Sequence, residues 1–140
     1  MDPEEFIRVV EEANAHTVFG PLGIRVTRYD PDAMQVALEI DERHRQPLGV
    51  LHGGVSALLV ESVASLAAAM SVDLRTHTVA GVDLNVTHVR AKRGGALTAT
   101  ARPLFRGRTT QVYTADVIDE NGELVCTGRC TIAVRPRRSS

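Results

Sequence analysis

Hydrophobic positions along the chain change period several times, and each change marks an element. Over residues 3–15, Phe6, Val9, Val10 and Ala13 recur at helical spacing while Glu4, Glu5, Glu11 and Glu12 lie elsewhere, which predicts a short surface helix. Residues 24–29 and 33–40 read as strands around the turn Asp30-Pro31-Asp32. Four more β-rich runs follow at 78–91, 96–105, 109–118 and 123–134, separated by Arg93-Gly94-Gly95, Arg106-Gly107-Arg108 and Asn121-Gly122. The Asn-Gly pair predicts a tight hairpin, because both residues tolerate the positive φ of a primed turn. Residues 136–140 read as a frayed tail.

Between the strand groups lies a long apolar stretch. From 46 to 72 the only formally charged residue is Glu61, and 55–70 is largely Val, Leu and Ala. A membrane span needs about 20 apolar residues without a central carboxylate. Here Gly53 and Gly54 open the stretch, Ser56, Ser62 and Ser65 interrupt it, and Asp73 closes it. Apolar residues on every face predict a helix buried all round inside a globular protein. The element order then gives an α+β fold, an antiparallel β-sheet wrapped around a long central α-helix, as one domain over 1–140 with 1–20 as N-terminal helix and lead-in. Such a half-open sheet leaves an edge to pair, so oligomerisation is expected.

Composition narrows the class. At 140 residues with 44% hydrophobic and 24% charged positions, the chain reads as an ordinary globular domain. A net charge of −1 argues against a globally basic nucleic-acid binder, and three Phe, two Tyr and no Trp offer little for base stacking. Cys126 and Cys130 are too few for a disulfide scaffold, and the acidic start Asp2-Pro3-Glu4-Glu5 does not resemble an export signal. The expectation is reduced thiols in the cytoplasm, with neither nucleic acid nor membrane as partner.

Candidate chemistry centres on the helix. A carboxylate in an apolar run is costly unless partnered, so Glu61 demands a reason. Ser65, one turn on, shares its face. Upstream stands Gln46-Pro47-Leu48-Gly49-Val50-Leu51-His52-Gly53-Gly54. The glycine pair lets the chain turn sharply into the helix and leaves the first N–H groups free, a terminus that favours negative charge. Each part alone has a plainer reading: an inert glutamate, a packing serine, a satisfied imidazole, a simple loop-to-helix turn. Together they suit attack on a thioester or ester carbonyl. Gly53 and Glu61 are separated by about 12 Å along a helix, too far for one carbonyl to reach both. A composite site, with the helix start of one subunit facing Glu61 of another, follows as an expectation.

A basic block forms the second feature. Residues 84–115 carry Arg90, Lys92, Arg93, Arg102, Arg106 and Arg108 and no acid. On one strand, His88, Arg90 and Lys92 share a parity and point to one side. A phosphate-bearing ligand or a solvated sheet edge would each account for the block. Phosphate-cradling Gly-rich loops are absent.

At these residues the chain resembles the hotdog-fold acyl-CoA thioesterases, in the branch holding the phenylacetate-pathway, glutamate-type 4-hydroxybenzoyl-CoA and 1,4-dihydroxy-2-naphthoyl-CoA enzymes. The resemblance covers about 21–134 and rests on Gln46, His52-Gly53-Gly54, Glu61-Ser62 and Ser65, on Gly81-Val82-Asp83-Leu84-Asn85-Val86-Thr87-His88, and on the block 102–112. It implies hydrolysis of an aromatic or medium-length acyl-CoA without metal or other cofactor, coenzyme A being part of the substrate. It also implies Glu61 as nucleophile or general base and the Gly53 N–H as the group polarising the carbonyl. Gln46 and His52 would position the thioester, Ser65 would orient Glu61 or water, and Gly54 would permit the turn. His88, Arg90, Phe105, Gly107, Arg108 and Thr109 would form the substrate-binding surface. Phe105 stands where relatives of the naphthoyl type often carry histidine. The family pairs central helices in a homodimer, often doubled to a homotetramer. A non-catalytic acyl-CoA-binding protein and a hotdog dehydratase are the alternatives on the same fold.

Overall fold

The computed structural model describes residues 2–138. Helix α1 (Pro3–Asn14) begins where Asp2 accepts the Glu5 N–H at 2.9 Å, Pro3 opens the first turn, and Glu4 and Glu5 meet the positive helix end. A four-residue helix α2 (Phe19–Leu22) and a 3₁₀ turn (Glu42–His44) were invisible to periodicity because neither completes two turns. The strands are β1 (Arg25–Arg28), β2 (Met34–Glu39), β3 (His77–His88), β4 (Ala96–Arg106), β5 (Thr110–Asp119) and β6 (Leu124–Pro136), with helix α3 (Gly53–Met70) between β2 and β3. They form one antiparallel sheet in the order β1-β2-β4-β5-β6-β3.

Alternation along the central strands sets the core. Met34, Val36 and Leu38 of β2, Leu97, Ala99 and Ala101 of β4, and Tyr113, Ala115 and Val117 of β5 all point inward and are buried. Helix α3 lies across this face and presents Ser56, Leu59, Val60, Val63, Ala64, Ala67 and Ala68 to it. That is a single stripe at i, i+3, i+4 spacing. By length and composition α3 could cross a membrane, yet this stripe packs on the sheet as a core helix does.

The expectation of burial on every face is corrected. Gly54, Ala57, Leu58, Glu61, Ser62 and Ser65 line the opposite side, and Glu61 is exposed. The reason is geometric: the sheet curls over one side of the helix only. The sheet also ends on a long open edge, because β3 pairs with β6 alone and has no buried residue along its length.

One turn and the C-terminal segment differ from expectation. Between β5 and β6 the chain makes a turn closed by Gly122 N–H to Asp119 O at 3.0 Å, and Gly122 alone has positive φ, at 77°. Asp119 Oδ1 accepts the Asn121 and Glu123 N–H groups, so a longer loop replaces the primed turn. At the C-terminal end, Pro136 pairs with His77 and Arg137 donates its N–H to Thr76 O at 2.8 Å. Ser139 and Ser140 of the expected tail lie outside the described residues. The α3 C-terminus is tied down by a polar chain: Gln111 Nε2 donates to Ser71 Oγ, Tyr113 Oη to Gln111 Oε1, and Arg106 Nε to Tyr113 Oη.

Candidate active site

The segment before α3 is pinned at both ends. His52 donates its N–H to His44 O at 2.8 Å, and Gln46 donates its N–H to Val50 O at 2.8 Å. The Gln46 side-chain carbonyl accepts the Leu48 N–H, leaving its amide NH₂ to donate elsewhere. Gly49 completes the loop with φ of 82°.

His52 is the N-cap of α3, and its Nδ1 accepts the Gly54 N–H at 2.8 Å. The ring proton therefore resides on Nε2, which makes His52 a donor on its free side. One helix-start amide is thus already used, which narrows the expectation that the first groups are all free. Among the described residues, the Gly53 N–H meets no acceptor. The His88 ring leans on Gly53 so closely that a Cβ there would sit 2.8 Å from Nε2. Gln46, Val50, Gly53, Ser56, His88 and Arg90 line a pocket of about 420 Å³ at this helix end. Ser56 is buried one turn into α3 beneath it, a lining residue that the sequence did not single out.

Glu61 belongs to a second pocket, of about 510 Å³, with Gly54, Leu58, Ser62, Ser65 and Leu84. No described residue donates a hydrogen bond to its carboxylate or pairs with it. Ser65 shares the pocket but is not bonded to Glu61. Beyond Glu61, burial pushes the Cys130 thiol up to about 11, with the Glu61 charge as a smaller cause. Both cysteines are buried free thiols, consistent with inert core residues.

The basic block does not form one surface. Regular β3 ends at His88, so the shared parity of Arg90 and Lys92 lapses. Arg90 pairs with Glu123 at 2.7 Å while still lining the first pocket. Lys92 bridges Asp119 and Glu120, both at 3.1 Å, and these carboxylates hold its ammonium above the usual lysine range. Arg106 is bound to Asp32 at 2.6 Å, and Arg102 lies on the outer sheet face beside Asp116. The acids lie outside the counted window, Asp32 well before it and Asp116, Asp119, Glu120 and Glu123 just beyond its end, which is why a count along 84–115 missed them.

Phe105, Gly107, Arg108 and Thr109 sit at the other end of the sheet. Gly107 donates its N–H to Thr110 O at 2.8 Å, Thr109 O accepts from Val134, and the Phe105 ring packs against Gly107 while 58% exposed. Through the pairs Thr110–Ala133 and Ala133–Ala80, this loop aligns with position 80 of β3, whereas His88 ends the strand. Eight strand residues span about 26 Å. The single binding surface expected from these residues is therefore divided within one chain. Among the described residues, no group of three or more His, Cys, Asp and Glu is placed to hold a metal ion.

Comparison with known proteins decides the family. The profile of the thioesterase superfamily matches residues 48–126, which contain the α3 start, Glu61 and His88. The chain belongs to the thioesterase superfamily. This thioesterase is 40% identical over 117 residues to the 1,4-dihydroxy-2-naphthoyl-CoA hydrolase of Listeria monocytogenes, covering 84% of this chain and 94% of that protein. It is 34% identical over 130 residues to the Escherichia coli protein of the same name, covering 93% of each. Its fold superimposes on a mutant of thioesterase PA1618 from Pseudomonas aeruginosa with TM-score 0.88 at 33% identity, covering 98% of this chain and 96% of that one. The hotdog fold and the thioester-hydrolase class expected from the sequence are both established for this thioesterase.

Proposed function

We propose that the protein hydrolyses an aromatic or medium-length acyl-CoA to the free acid and coenzyme A, with Glu61 as the reacting acid and the Gly53 N–H as the carbonyl donor. The observation that carries this reading is the unpartnered Gly53 N–H at the start of α3, in a pocket that Gln46 also lines. A backbone N–H aimed from a helix N-terminus stabilises the oxyanion that forms when a thioester carbonyl is attacked. His52 Nε2–H and the Gln46 amide, both from the segment that leads into α3, would serve as further donors to the thioester. The free Glu61 carboxylate either attacks the carbonyl, giving an acyl-enzyme anhydride that water opens, or takes the proton of a water that attacks directly. In both routes the thiolate leaves, and water supplies the new acid oxygen. The relatives named for naphthoyl-CoA support a CoA thioester as substrate and favour an aryl group.

The two pockets lie apart on one chain, so the site is completed by a second copy, in a homodimer that can double to a homotetramer. The open β3 edge and the half-covered face of α3 supply the surfaces for such pairing. The subunit seam would place His88 and Arg90 of one copy with Phe105, Gly107, Arg108 and Thr109 of another around the substrate. Ser65 orients Glu61 or the water once the seam closes, and Gly54 serves by accepting the close approach of His52. No metal or redox cofactor enters the reaction. A cytoplasmic setting belongs to the same reading, since the buried thiols need no oxidising compartment.

The test is thiol release from a panel of aryl- and alkyl-CoAs by the purified protein. Glu61→Gln is expected to abolish turnover on the best substrate; full turnover by that variant overturns the mechanism. Affinity for CoA esters without thiol release would identify a binding protein, and hydration of an enoyl-CoA a dehydratase.

A further inference from the structure

We infer that Gly81 is a positioning residue for the Glu61 carboxylate: the missing side chain on β3 leaves the space in which the acid is held. This inference rests on the reading of Glu61 as the reacting acid. A Cβ at position 81 would lie 2.6 Å from Glu61 Oε1, 3.3 Å from Cδ and 3.6 Å from Cγ. The carboxylate therefore approaches the strand with Oε1 foremost, and any larger residue there would displace that oxygen. At the same place β3 shifts register between Gly81 and Asp83, with Val82 as the extra residue. Such bulges re-aim strand atoms beside reacting groups.

The backbone does not require glycine here. Gly81 is absent from the glycines of positive φ, so an L side chain fits the strand conformation. Within a strand, glycine is a poor choice on entropic grounds, and alanine is neutral or favourable where space allows. What alanine would strike is the far end of a flexible side chain, which can swing aside at little cost. Stability and catalysis are thereby decoupled: substitution moves the acid and spares the fold. A group displaced by about 1 Å from its reacting geometry loses roughly 100-fold in rate.

The experiment compares Gly81→Ala, Gly81→Val, Glu61→Asp and the double variant Gly81→Ala/Glu61→Asp with the unaltered protein, by thiol release and thermal melting. Gly81→Ala is expected to keep or raise Tm and to leave KM within about threefold, while kcat falls roughly 10- to 100-fold. Gly81→Val is expected to lower kcat further, since it intrudes more on the same atom. Glu61→Asp withdraws the carboxylate by one methylene, so adding Gly81→Ala to it should cost less than threefold. That non-additivity marks direct contact between the two positions. Wild-type kcat in Gly81→Ala, or losses that simply multiply in the double variant, would overturn the inference while leaving Glu61 as the reacting acid. Full turnover by Glu61→Gln would instead remove the reading on which it rests.

Discussion

The carbonyl of His44 accepts the His52 N–H at 2.8 Å, joining a fully buried imidazole residue to the cap of the central helix. The His44 ring is itself saturated: Nδ1 accepts the Asp41 N–H at 2.9 Å and Nε2 donates to Leu22 O at 2.8 Å. It clamps α2, the 3₁₀ turn and the α3 entry together. His44→Ala leaves both partners unpaired around a cavity and should destabilise the fold by about 2–4 kcal/mol. Denaturant unfolding measures this, and a cost under about 0.5 kcal/mol would show the clamp to be idle.

His52 has two roles that substitution can separate. His52→Ala removes the cap and should cost about 0.5–2 kcal/mol. His52→Asn retains a short acceptor for the Gly54 N–H and should recover most of that stability. Both variants lose the Nε2–H donor, so both should show reduced kcat/KM. Equal activity of His52→Asn and the unaltered protein would assign His52 to structure alone.

Division of the site between copies predicts complementation. Gly53→Val would strike His88 and spoil the helix-start pocket, while Glu61→Gln spoils the other half. Refolded together in equal amounts, the two inactive chains should regain about a quarter of full activity, since half the dimers are mixed and each holds one intact site. No recovery, with mixed dimers demonstrated by mass, would place the whole site in one chain.

Much of this architecture was legible in the residues. Helix α3 could be read between its glycine pair and Asp73 because Glu61 is the single charge in that apolar stretch, and the β-rich runs at 96–105 and 109–118 became β4 and β5. Glu61 stood out as one charge among Val, Leu and Ala. The open side of α3 was misjudged because composition records apolar positions without saying how far a sheet extends. Arg90 and Lys92 were misjudged because their acidic partners arrive from the β5–β6 loop, some thirty positions away. Gly81 carried one faint signal, a glycine inside a strand, but its meaning depends on a helix residue twenty positions earlier.

Asp119 supplies an acid-dependent prediction. Backbone N–H groups, Glu123 first, hold its carboxyl below the usual value of 3.8, with Lys92 adding to the effect. A carboxyl lowered in the folded state contributes stability that is fully present above its unfolded value and is lost as pH falls through the folded value. Tm should therefore decline below about pH 4, and Asp119→Asn, which keeps the carbonyl acceptor but cannot titrate, should show a shallower decline. Parallel Tm curves for the two proteins between pH 6 and pH 3 would exclude Asp119 as a source of the acid sensitivity.

Helix α3 is fastened at its start through His52 and at its finish through Ser71 and Gln111. Secured in this way, it has little freedom to slide or roll when a ligand arrives, and the response must fall on side chains, the preceding loop and the seating of neighbouring copies. A tightly bound substrate analogue should accordingly leave amide exchange in the helix interior unaltered and slow it chiefly over residues 46–51.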